Sequence, residues 1–124
     1  MDSVSVSTSP FLTIAEVAQE LGTSTSTVRR LCAEGRLLAI HVGAQVRVSR
    51  ASVSRDEDLR RSPRLPGLPA RLSLTMEELT ARWRVSALTI RRVIAVGELC
   101  VTRIGRTPRI PIETIGKYER LNVV

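Results

Sequence analysis

Two pairs of adjacent arginines, Arg29-Arg30 and Arg91-Arg92, are the residues best placed by type and spacing to do chemistry. A guanidinium group is a planar, permanently charged fork that matches a phosphate, or the O6/N7 edge of guanine, with two parallel hydrogen bonds. Each pair closes the same frame, Ser-x-x-Thr-apolar-Arg-Arg, which begins at Ser24 and again at Ser86. A serine in that place caps a helix N-terminus, and such a terminus attracts anions. The outward positions of the two helices are then Thr25, Ser26, Arg29 and Arg30, and Ala87, Leu88, Arg91 and Arg92. An isolated arginine pair is most simply a solvated helix face. The same pair at the same phase of two like helices points to phosphate and base-edge recognition.

The frames belong to a longer repeat. Shifting the chain by 62 aligns residues 12–53 with 74–115 without a gap, and twelve of the 42 positions are identical. Self-similarity on that scale means two copies of one structural unit. Thr13-Ile-Ala-Glu16 and Thr75-Met-Glu-Glu78 are capping boxes, so a first helix starts at residue 14 and at residue 76. Its inward face is Ile14, Val17, Ala18 and Leu21 in one copy, and Met76, Leu79, Thr80 and Trp83 in the other. Gly22-Thr23 turns the first chain; Arg84-Val85 makes the same turn less comfortably. Gly35 and Gly97 end the second helices.

A hairpin follows in each copy, with Gly43 or Gly105 at its bend, and then a short helix, expected over 50–57 and 112–121. The first hairpin offers His41, Gln45 and Arg47, and the second Arg103, Arg106 and Arg109. The second is therefore the stronger phosphate clamp. Between the copies, RRSPRLPGLPAR forbids a helix or a central strand and reads as a semi-extended basic linker. Residues 1–10, rich in serine and threonine, read as a disordered N-terminus.

Composition narrows the function classes. Nineteen basic residues, eighteen of them arginine, stand against twelve acidic ones, for a net charge of +7. That balance favours a polyanionic partner. Phe11, Trp83 and Tyr118 are the only aromatic residues, too few for a platform that stacks single-stranded bases. Trp83 reads as a core or rim residue. Cys32 and Cys100 lie in aliphatic runs and read as two buried free thiols. His41 is the only histidine, and no metal spacing, catalytic triad or phosphate-cradling glycine loop is present. The expectation is a protein without enzymatic activity, metal or cofactor. No apolar run reaches membrane-spanning length and no secretory leader is visible, so the cytoplasm is the expected compartment, among the nucleoid or in a host cell.

TIAEVAQELGTSTSTVRRLCAEGRLLAIHVGAQVRVSRASV resembles the DNA-binding domain shared by MerR-type regulators and phage excisionases, and LTMEELTARWRVSALTIRRVIAVGELCVTRIGRTPRIPIETI resembles it more closely. The resemblance rests on the opening Leu-Thr with its glutamate, the Ser-x-x-Thr-apolar-Arg-Arg helix, the Gly-x-Leu exit and the short wing, and it covers about two thirds of the chain. It implies a mainly α fold with small β-hairpin wings: two tandem winged helix-turn-helix domains over 11–58 and 73–124, joined by a Pro/Arg-rich linker over 59–72.

It also implies that the second helix of each copy enters a major groove. Ser24, Ser86, Thr27 and Thr89 would fix the docking, with the four paired arginines on phosphates or guanines. Thr25 and Ser26 would bond to bases, and Ala87 and Leu88 would meet a thymine methyl, so the two half-sites would differ. The function implied is sequence-specific binding of double-stranded DNA at a bipartite site. The chain would be a phage- or plasmid-type repressor, or alternatively an excisionase that bends attachment-site DNA. RNA polymerase or an integrase would be the protein partner, and the protein would bind as a monomer or in weak cooperative assembly. A protein-interaction adaptor is the third reading.

Overall fold

The computed structural model describes residues 9–55 and 57–124. Most of the expected disordered N-terminus, residues 1–8, lies outside the described residues. Ser9 and Pro10 are not loose. Ser9 is buried, and its hydroxyl donates to the Arg82 carbonyl at 2.8 Å.

The first half runs β1 (Phe11–Thr13), α1 (Ile14–Leu21), α2 (Thr25–Ala33), β2 (Ala39–Val42) and β3 (Gln45–Ser49). A 3-10 turn (Arg50–Val53) and a short α3 (Glu57–Arg61) follow. The expected helix over 50–57 is thus broken into a single 3-10 turn and a later helix that begins at Glu57 and runs into the segment expected to be linker. The Leu38 amide donates to the Ser52 hydroxyl at 2.9 Å, which pins the 3-10 turn to the strand connection instead of letting it propagate. The second half runs β4 (Ser73–Thr75), α4 (Met76–Trp83), α5 (Ala87–Ala95), β5 (Thr102–Ile104), β6 (Thr107–Pro111) and α6 (Ile112–Leu121).

Two antiparallel three-stranded sheets result, ordered β1-β3-β2 and β4-β6-β5. Their registers correspond under the shift of 62: Leu12 faces Val48 as Leu74 faces Ile110, and Ile40 faces Arg47 as Thr102 faces Arg109. The chain is therefore mixed α and β, where mainly α was expected. The opening Leu-Thr of each half forms a third strand, beside the hairpin.

Local signals account for the helices. Both capping boxes are formed: Glu16 N–H donates to Thr13 Oγ1 at 3.1 Å while Thr13 N–H donates to Glu16 Oε1 at 2.9 Å, and Thr75 and Glu78 repeat the pattern. Gly22 closes α1 in the left-handed conformation. Its counterpart is Arg84, at φ 56° the only described non-glycine residue with positive φ. A side chain there costs about 1 kcal/mol of backbone strain, so the tertiary contacts of Arg84 must hold it in place.

Packing departs from the picture of two separate beads. One core, of Leu12, Ile14, Val17, Val28, Cys32 and Val48, lies within the first half. The larger core joins Leu79, Trp83, Ile90, Ile110 and Tyr118 of the second half to Phe11, Ile40 and Val42 of the first. Residues 62–72 are no free tether either. Leu65 and Leu68 pack on the shared core, and the Arg64 carbonyl accepts from Ser49 Oγ at 2.7 Å. Two sequence expectations fail on burial. Leu21 is 44% exposed, although its counterpart Trp83 is fully buried, and Cys100 is exposed because the strand connection turns it outward. Among the described residues no helix is long and apolar enough to cross a membrane.

Candidate nucleic-acid interface

The N-terminal turns of α2 and α5 are built alike. Ser24 Oγ accepts from the Thr27 amide, and Ser86 Oγ from the Thr89 amide, each at 3.2 Å. Each serine hydroxyl also lies within hydrogen-bond distance of the threonine hydroxyl, at 3.1 and 3.2 Å. These four side chains are thus engaged in holding the helix start. Beyond them, Thr25, Ser26, Arg29 and Arg30 are exposed on α2, and Leu88, Arg91 and Arg92 on α5; Ala87 is half-buried. Val28 and Ile90, one position before each arginine pair, are fully buried. A helix period of 3.6 therefore turns both pairs to solvent. None of the four paired arginines has an ion-pair partner among those found in the described residues.

Arg29 shares a cleft of about 520 Å³ with Thr13, Ala15, Ala44 and Gln45, so the first arginine of the pair and the first hairpin flank one groove. The second hairpin carries Arg103 and Arg106 exposed, with Arg109 half-buried. Ile104, between them, is 65% exposed.

Arg47 is placed differently from its sequence reading. It is 8% exposed. Its Nε donates to the Trp83 carbonyl at 3.0 Å, its Nη2 to the Arg84 carbonyl at 2.7 Å and to Gln45 Oε1, and its Nη1 to the Val46 carbonyl at 2.9 Å. Trp83 and Arg84 end α4, where carbonyls have no partner within the helix and the dipole favours a cation. Arg47 therefore caps a helix of the other half: four of its five N–H donors are engaged and the side chain is buried, which withdraws it from a phosphate. Burial, with the Arg84 charge close by, lowers its pKa, and Glu16 works against that. Gln45, bonded to Arg47, is half-buried for the same reason.

The same seam holds further charges that sequence reading passed over. Arg84 pairs with Glu16 across it. Partial burial pushes the Glu16 carboxyl up, but hydrogen bonds from Arg84 and the Thr13 amide, with the Arg84 charge, outweigh that and leave it below its usual value. Deeper, Arg82 Nε donates to Glu119 Oε2 at 2.7 Å and its Nη2 to Oε1 at 3.0 Å, and the Trp83 indole N–H donates to Oε2 at 2.8 Å. Arg82 also donates to the Pro66 and Gly67 carbonyls and lies 5.5 Å from the centre of the Phe11 ring. The signal for these residues is where the copies differ in kind: Glu20 against Arg82, Leu21 against Trp83, Gly22 against Arg84.

Residues 11–55 match the family model of a helix-turn-helix domain. The matched span runs from β1 through the 3-10 turn and contains α1, α2 and the first hairpin. No curated protein and no solved structure matches the chain.

Proposed function

We propose that this protein binds double-stranded DNA through two helix-turn-helix units, residues 11–58 and 73–124, and regulates transcription as a repressor of phage or plasmid type at a bipartite site. The observation that carries the reading is an exposed arginine pair at the same phase of two serine-capped helices, Arg29-Arg30 on α2 and Arg91-Arg92 on α5. A helix start draws in a phosphate, and arginines one turn further reach the backbone or a guanine edge. The helix-turn-helix match supports a DNA-binding, regulatory role for the first unit. With Arg47 occupied, the first hairpin contributes His41 and Gln45 at most, so the second hairpin, with Arg103, Arg106 and Arg109, supplies most of the backbone clamping.

The test is selection of bound sites from random duplex DNA, comparing the full chain with R29A/R30A and R91A/R92A. Each double variant loses the sequence preference of its own half-site, at about 1–3 kcal/mol per lost bidentate contact. Each also lowers the salt slope of binding by about one for every phosphate contact removed. A compact operator over a promoter fits the repressor; a bent, multi-site footprint at an attachment site identifies an excisionase in its place. Failure to bind any duplex in low salt refutes both and leaves the adaptor.

A further inference from the structure

We infer that the two units read their duplex head to tail, so that the half-sites run in the same direction rather than forming a palindrome, with the first hairpin seated between them. The inference rests on the DNA-binding reading above and deepens it. Two like units related by a two-fold axis must bury the same patch on both. Here the patches differ. The first half contributes the open side and tip of its sheet: Ile40 and Val42 are fully buried in the shared core, and the Gly43 amide donates to the Tyr118 hydroxyl at 3.3 Å. The second half contributes the end of α4, the start of α5, and α6 with its tail. Trp83 and Arg84 accept from Arg47, the His41 amide donates to the Asn122 carbonyl, and the Val124 amide to the Ala39 carbonyl.

The counterparts of these groups are left out of the seam. Ile104, which matches Val42, is 65% exposed, and Leu21, which matches Trp83, is 44% exposed. A Cβ added at Gly43 would come to 3.2 Å from the Thr89 methyl carbon, whereas one at the matching Gly105 would meet nothing within 4 Å. The contact is therefore heterologous, the head of one unit on the tail of the next, which no two-fold axis produces. It also sets the tip of the first hairpin beside the N-terminal turn of α5. The first hairpin thus lies between α2 and α5, and with the second hairpin related to α5 as the first is to α2, the inferred order is α2, first hairpin, α5, second hairpin. Laid along one duplex, two units in that relation present their reading helices with the same polarity.

Affinity cleavage from the hairpin tips tests this. In a Cys100→Ser background, Ala44→Cys or Thr107→Cys carries a tethered iron chelate, while Cys32 is buried and stays unlabelled. The probe is the duplex selected with the full chain, its half-sites assigned by the two arginine double variants. Cuts from position 44 are expected between the half-sites, and cuts from position 107 beyond the α5 half-site, on the side away from the other. Replacing the α5 half-site with its reverse complement at the same spacing should lower affinity about 100-fold, the loss of the avidity of a linked pair. Cuts from both positions inside the site, or both outside it, overturn the head-to-tail order while leaving DNA binding intact. So does equal affinity for the flipped site. Absence of any specific footprint sinks the DNA-binding reading and this inference with it.

Discussion

Phe11→Ala separates a shared core from two beads on a string. Phe11 belongs by sequence to the first half, yet its ring is fully buried in the core built mainly by the second and lies under Arg82. Truncating a buried phenylalanine costs about 3–5 kcal/mol. A domain of this length has total stability on the order of 10 kcal/mol, so the loss is a large share. With a urea slope of about 2 kcal/mol per M, a loss of 4 kcal/mol lowers the midpoint by about 2 M. Trp83, the only tryptophan, belongs by sequence to the second half, with its ring centre 5.0 Å from that of Tyr118, and its emission reports the core in which it is buried. Far-ultraviolet ellipticity reports both. The expected result is one transition, seen alike by both probes and shifted by the same amount. A Trp83 midpoint that stays within about 0.3 M of wild type, with ellipticity falling in two steps, would refute the joint core and restore two independent domains.

Other perturbations read different parts of the seam. Glu119→Ala leaves the Arg82 guanidinium, 7% exposed, without its carboxylate; a broken buried pair costs about 3–5 kcal/mol, read as a lower urea midpoint. Glu16, whose folded pKa is lowered, contributes stability that is complete above the ordinary carboxylate range and fades as pH falls through the folded value. Glu16→Gln keeps the cap but should flatten the midpoint-against-pH curve in that acidic window; an unchanged curve rejects the role given to the Arg84 pair. Cys100 should react at once with a thiol reagent in the native protein, and Cys32, buried with its thiol pushed up by desolvation, only on unfolding. Two rapidly reacting thiols would contradict the packing of the first core.

Part of the arginine content is structural. Arg47 and Arg82 are buried, and Arg50 donates from Nε and Nη2 to the Ser9 carbonyl at 3.0 and 2.8 Å. Net charge therefore overstates what is free to meet a polyanion. The exposed part includes Arg29 and Arg30 on α2, Arg91 and Arg92 on α5, and Arg103 and Arg106 on the second hairpin.

Sequence alone determined what depends on neighbours within about a turn. The capping boxes, the serine caps, the glycine stops, the buried Val28 and Ile90 and the outward arginine pairs all follow from propensity and period, and all are local. The glycines at the bends also placed the two hairpins, while the third strand of each sheet was not read from the sequence. Tertiary structure alone decided how like residues came to differ. Arg47 and Arg109 occupy the same place in the repeat and face Ile40 and Thr102 alike, yet one is buried against the end of α4 and the other half-open. Leu21 and Trp83 part in the same way. The cause is the head-to-tail seam, which covers one member of each pair and bares the other. Its contacts join positions 36 to 85 residues apart, and nothing in the local pattern of either copy specifies which face its twin will cover.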